Sequence, residues 1–207
     1  MIDNKKEYVL HYEDVHPIME VKNFVDIETA HQIIEFLDLN DDQDNCWGAV
    51  CFREYWEKHR PDLADELPKT ASGIDKNILN QINDNIFLEA VNFLNDSDIV
   101  FSKFKGHNHI ENSYSPPHGW GPGVIVGILS LNNDYSGGNF FIEDPLIEMR
   151  FNERSLYLFR EGGLIKHGVR EITNGRRLSL VSHWQRSDSP YSGAGSEDPC
   201  HNIAGIM

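Results

Sequence analysis

His167 and Arg177 stand ten residues apart in the segment HGVREITNGRRLSLVSHW. Imidazole is the commonest protein ligand for a redox metal. Guanidinium grips a carboxylate through two parallel charge-assisted hydrogen bonds. Asn174-Gly175 between them is a turn signal, and the alternating run RLSLV follows. The spacing predicts two adjacent antiparallel strands that hold both side chains over one cavity. In such an apolar strand an unpaired guanidinium is costly, so Arg177 calls for an anionic partner; the bland alternative is a surface salt bridge worth about 0–1 kcal/mol. A metal-binding group beside a carboxylate-binding group predicts an enzyme that takes a small organic acid at a metal.

The elements that must position these residues are legible in outline. Residues 17–25 (PIMEVKNFV) read as a strand. Asp26 is placed to cap a helix running to about Leu37, because Ile27, Ala30, Ile33, Ile34 and Leu37 recur at helical spacing. A second helix is predicted over about 75–95, with the stripe Ile78, Leu79, Ile82, Ile86, Ala90, Val91 and Leu94. Residues 50–72 carry no assignable pattern. After Asp98 the texture changes to short strand-like runs (IVFSKFKG, VIVGILSLN, NFFIED, LIEMRF, SLYLFR, IKHGV, RLSLVSHW) separated by Gly, Asn, Asp and Pro. The expected class is α+β, a jelly roll with the N-terminal helices packed on the outside of one sheet. One domain is expected over 1–187, with its core at about 98–185 and a polar, glycine-rich tail over 188–207.

Composition excludes several function classes. The 207 residues suffice for one sizeable core. The formal net charge of −15 argues against a nucleic-acid binder, which would need a basic stripe. Solubility is the plain reading of that charge, and a preference for basic partners is the other. No apolar run approaches the length of a membrane span, and the N-terminus lacks the apolar core of a signal peptide, so a cytoplasmic protein is expected. Cys46, Cys51 and Cys200 form no C-x-x-C and cannot all pair, which favours reduced structural thiols. Asp41-Asp42-Gln43-Asp44 lacks the glycine and terminal glutamate of a calcium loop and reads as a solvated turn.

Four pieces point to the mouth of the jelly roll: SPPHGWGP with His118, the run LNNDYSGGNFFIED, His167, and Gly175-Arg176-Arg177-Leu178-Ser179. Their order resembles the 2-oxoglutarate/Fe(II) oxygenases, in particular the prolyl 4-hydroxylase-like branch. That family reads H-x-D, then a strand ending in L-N, a GG-containing turn, and H-x-V…G-x-R…W. The matching residues are His118, Leu131-Asn132, Gly137-Gly138, His167-Gly168-Val169, Gly175-Arg176-Arg177 and Trp184, spanning about 98–185. The resemblance implies Fe(II) as metal, 2-oxoglutarate as cosubstrate and ascorbate as an auxiliary. It implies hydroxylation of a carbon centre in a small molecule, peptide or protein. His118 and His167 would be the metal ligands and Arg177 the anchor of the cosubstrate's distal carboxylate. Ser179, two residues on, would face the same side of the strand and add a hydrogen bond. Tyr114 is a further candidate contact.

One position departs from the pattern. Where H-x-D requires an acid, this chain has Trp120, and indole offers only an N–H donor. Three readings stay open. Glu111, in the H-x-E of His109-Ile110-Glu111, supplies the third ligand; the site holds only two histidines, with water or halide beside Gly119; or the cup is a catalytically silent module that keeps the arginine pocket. Taken alone, His118 could instead cap a loop between the prolines and Trp120. His183 beside Trp184 reads as structural. His107 and His109 precede the strand boundary and read as solvent-exposed, with ligation as the second option.

Overall fold

The computed structural model of the chain describes residues 5–39, 49–51, 76–119, 124–160 and 165–186. The expected solvated turn at Asp41–Asp44, Cys46, Trp120, Cys200 and the tail over 188–207 lie outside the described residues. Helix α1 (Ile27–Leu39) begins where its cap predicts: the Thr29 N–H donates to Asp26 Oδ1 at 2.7 Å. That bond holds the Asp26 carboxyl below its ordinary range. Helix α2 (Lys76–Leu94) follows the predicted second stripe.

The strands are β1 (Glu7–His11), β2 (Ile18–Lys22), β3 (Ala49–Cys51), β4 (Ile99–His109), β5 (Ser115–His118), β6 (Val124–Ser130) and β7 (Ser136–Gly137), then β8 (Phe140–Ile142), β9 (Ile147–Met149), β10 (Leu156–Arg160), β11 (His167–Val169), β12 (Ile172–Asn174) and β13 (Arg177–Arg186). Seven form a sheet in the order β1-β2-β10-β6-β13-β4-β3; four form a second in the order β5-β11-β8-β9; β12 and β7 make a ribbon. Every neighbouring pair is antiparallel. The class is therefore α+β, with antiparallel sheets and two helices among the described residues. β1 is absent from the sequence-based expectation, and β4 runs on through His109, past the GHNH stretch that reads as a boundary.

Strand alternation sorts the core into two layers. On one face of the large sheet, Ile125, Leu129, Leu156, Leu158, Leu178, Leu180 and Trp184 pack with Ile33, Leu37, Ile82 and Ile86 of the helices. On the other face, Val126, Ile128, Tyr157 and Phe159 pack against Phe140, Ile142 and Ile147 of the small sheet. β6 is buried along its whole length because it lies between these layers. The turn after it needs glycine: Gly137 and Gly138 have φ of 70° and 65°, and the Gly138 N–H donates to the Glu171 carbonyl at 2.9 Å.

Glu20 is buried on the inner face of β2 at 1% exposure. Its Oε1 accepts from the Tyr157 hydroxyl (2.9 Å) and Asn152 Nδ2 (2.8 Å), and its Oε2 meets His11 Nε2 at 2.9 Å. One carboxylate thus ties β1, β2 and β10 together. Burial pushes its pKa up, but these hydrogen bonds outweigh burial and hold it below the ordinary value. A depressed native pKa contributes stability above the unfolded value, about 4.3, and loses it as pH falls through the native one. Glu20→Gln should therefore cost about 1–3 kcal/mol near neutrality, since a donor replaces an acceptor. It should also flatten the loss of stability below about pH 4. Thermal unfolding from pH 7 to pH 3 checks this; an unchanged acid slope would contradict it.

Candidate functional site

β13 enters the large sheet at Arg177, between β4 and β6. Directly opposed residues of antiparallel neighbours share a face. Arg177 opposes His109, while Ser179 opposes both His107 and Ser130. Val181 and His183 continue the same row opposite Ile128 and Val126, which face the small sheet. All of these side chains therefore line the inner face. His107 and His109 are 7% and 2% exposed, not solvent-facing as their sequence context suggests. Their rings stack at 5.2 Å with planes 10° apart. The physical reason is the ladder: β13 pairs with β4 as far as His109, so the strand cannot end before it.

Arg177 is 2% exposed. Burial pulls its pKa below the ordinary value, and the Tyr135 hydroxyl beside it opposes that shift. Nη1 donates to Ser179 Oγ at a long 3.4 Å, and the guanidinium carbon lies 5.5 Å from the centre of the Phe151 ring. Nη2 is buried with no close hydrogen-bond partner among the described residues. The charge is thus held by one weak hydrogen bond, a π face and a nearby hydroxyl. Asn132 fixes the backbone on both sides of it: Nδ2 donates to the Arg176 carbonyl and Oδ1 accepts from the Leu178 N–H, both at 2.8 Å. The asparagine of the L-N pair therefore positions the arginine. Tyr135 is the site residue that sequence reasoning missed; its only signal was its place between L-N and GG.

The two histidines come from neighbouring strands of the small sheet. His118 ends β5, His167 opens β11, and they oppose each other in register. Their ring centroids are 4.5 Å apart with planes inclined at 50°. Gly168 permits this closeness, since a Cβ there would sit 2.4 Å from the Ser115 carbonyl oxygen. His167 is buried against Phe140 (5.8 Å) and Phe159 (5.3 Å). His118 Nδ1 lies 2.8 Å from the Pro116 carbonyl. A carbonyl can only accept, so Nδ1 carries a proton, and in the neutral ring this leaves the Nε2 lone pair for a metal.

The remaining candidates do not join this pair. Glu111 is exposed in the turn after β4, and Tyr114 is 59% exposed at the surface. Among the described residues, no three His, Cys, Asp or Glu side chains are grouped to hold a metal. Likewise, no described helix is long and apolar enough to cross a membrane. Two imidazoles and an under-partnered buried guanidinium therefore make up the described site. It suits a metal held by two imidazoles beside a ligand carboxylate.

No protein-family model matches the sequence, and no curated protein matches it. Solved structures do match. HygX from Streptomyces hygroscopicus, crystallised with nickel and 2-oxoglutarate, superposes with a TM-score of 0.60 at 11% identity, covering 87% of this chain and 88% of its own. The viral collagen prolyl hydroxylase of Paramecium Bursaria Chlorella virus-1, in complex with 2-oxoglutarate, gives 0.59 at 10% identity over 83% and 96%. A Trichoplax adhaerens prolyl hydroxylase bound to a hypoxia inducible factor peptide fragment gives 0.55 at 11% identity over 83% and 84%. The fold of this chain is that of the 2-oxoglutarate/Fe(II) oxygenases, prolyl hydroxylases among them.

Proposed function

We propose that the chain is a non-haem Fe(II)- and 2-oxoglutarate-dependent oxygenase that hydroxylates a carbon centre of a small molecule or peptide. In this reading the two facing sheets are a double-stranded β-helix within a single domain spanning 1–187. The observation that carries it is Arg177: a buried, permanently charged guanidinium whose Nη2 has no close partner among the described residues, facing from the large sheet the layer of Phe151 and Phe140 against which His167 of the small sheet packs. His118 and His167 would hold the metal through their Nε2 atoms. Arg177 would receive the distal carboxylate of 2-oxoglutarate, and Ser179 and Tyr135 would complete its hydrogen bonds. Bound iron with 2-oxoglutarate supplies oxidation of a C–H bond by dioxygen, with succinate and carbon dioxide as coproducts. The apolar wall of Phe140, Phe151 and Phe159 keeps water from that region and strengthens each charge interaction within it.

Trp120 favours a second reading, a silent module that binds an organic acid at Arg177 without turnover. Here the residue type itself is the observation, because indole cannot replace the missing carboxylate ligand. Anaerobic addition of Fe(II) and 2-oxoglutarate separates the two. The oxygenase reading expects the weak visible charge-transfer band of the chelate, its loss in His167→Ala, and succinate release once oxygen is admitted. A wild-type chain that binds 2-oxoglutarate but gives neither band nor succinate is the silent module.

The anchor is tested independently of the metal. A charge-assisted hydrogen bond contributes about 1.5–3 kcal/mol, so Arg177→Leu should weaken 2-oxoglutarate binding by roughly 10- to 150-fold. Arg176→Leu should leave it nearly unchanged, because Arg176 alternates to the other side of the strand. Calorimetric titration of both variants checks this, and similar affinities would remove Arg177 from its assigned role.

A further inference from the structure

A cavity of about 570 Å³ lies where α2 ends, β4 and β6 begin, and β10 and β13 finish. Leu94, Ile99, Val124 and Ile165 give it an apolar wall. It adjoins the histidine pair. Ile165 stands two residues before His167, and a Cβ on Gly119, next to His118, would lie 2.8 Å from the Ile165 carbonyl oxygen. The Phe159 ring is shared between the two: it meets His16 of the cavity at 6.2 Å and His167 at 5.3 Å.

Its described polar groups are few and mostly basic: His16, Arg160 and Arg186, with Asp96. His16 is 7% exposed, and its Nε2 has no hydrogen-bond partner among the described residues. Burial lowers its pKa, so the ring is neutral at pH 7 and can offer one N–H. Arg160 donates to the Leu94 carbonyl at 3.3 Å, a neutral acceptor at the end of α2. Arg186 pairs with Asp96, the one acidic group among the described lining residues. Among the described lining residues, Arg160, at the exposed end of β10, is the cation with no acidic partner. The volume lies within the usual range for small-molecule sites, about 300–1,000 Å³.

We infer that this cavity binds a small apolar monocarboxylic acid, its chain on Leu94, Ile99, Val124 and Ile165 and its carboxylate on Arg160 with His16 beside it. An amine would meet Arg160 unfavourably, and a dianion would carry more charge than one arginine offsets. Calling this acid the substrate rests on the oxygenase reading, because only then does its nearness to His118 and His167 expose a C–H bond to oxidation. Its binding does not rest on that reading.

The test uses the full chain without iron or 2-oxoglutarate, titrated with octanoate, octanol and octylamine. Octanoate should bind at least fivefold more tightly than octanol, and octylamine more weakly than either. Arg160→Gln should abolish the octanoate preference and leave octanol unchanged; Arg160→Lys should restore part of it, which a merely misfolded variant would not. Arg177→Leu should leave octanoate affinity as it was. Equal binding of the three probes, preference for the amine, no binding, or an octanoate site lost in Arg177→Leu and kept in Arg160→Gln would each overturn the inference. Since neither metal nor cosubstrate is present, a chain without oxygenase activity can still pass, and an active oxygenase can still fail.

Discussion

Everything at the centre of this molecule is arranged around a charge that cannot be discharged. A guanidinium stays protonated under all ordinary conditions, and Arg177 is held out of water at 2% exposure. Ser179, the Tyr135 hydroxyl and the Phe151 ring offset part of the cost, while Nη2 lacks a partner among the described residues. A carboxylate arriving there replaces poor contacts with charge-assisted ones. The gain depends on the guanidinium not relaxing toward solvent beforehand. Its strand lies well inside the seven-stranded sheet, laddered on both sides, and Asn132 bonds the backbone before and after it.

Holding Arg177 so firmly requires a sheet with two different faces. Leu178 and Leu180 face the helices, whereas Arg177 and Ser179 face the small sheet. A slip of one residue would carry the charge into the helix layer and the leucines into the cup. The helices' apolar stripes thus enforce the register that aims the arginine. Across the cup the small sheet imposes the matching constraint on the imidazoles. Gly168 lets β11 lie against β5, and the Pro116 carbonyl selects the His118 tautomer. Pocket and imidazole pair are therefore set by separate sheets, and the aromatic layer of Phe140, Phe151 and Phe159 joins them.

Much of this was legible in the sequence wherever a local signal agreed with the tertiary one. Asp26 caps its helix, both helical stripes face the sheet, and the glycine pair turns where two glycines suggest a turn. His167 and Arg177, expected on two adjacent strands, instead belong to β11 and β13 of different sheets, because the ribbon strand β12 intervenes between them. The misreading of His107 and His109 has a specific cause. A run such as GHNHIEN is polar and turn-like by composition, and nothing local reveals that β13 pairs with it. β1 was missed for the same reason, since its pairing with β2 and the His11–Glu20 contact are long-range. Tyr135 lies beside Arg177 where its backbone packs on Gly175, a long-range contact that no spacing rule encodes.

Net charge describes the surface rather than the cup. Taken as a whole, −15 reads as solubility, with a preference for basic partners as the alternative. Inside, fixed charges are few and imidazoles are many. The inner faces carry His107, His109, His167, His183 and Arg177, and the buried acid on the same side, Glu20, is saturated by Tyr157, Asn152 and His11. A ligand at these faces responds to groups within a few ångströms in a poorly screened interior, whereas the acidic surface is screened over about 8–10 Å of salt solution. The acidic exterior therefore governs solubility and encounter, and the imidazole- and guanidinium-lined interior governs what is held. Those two demands are met separately because the aromatic and aliphatic layers keep them apart.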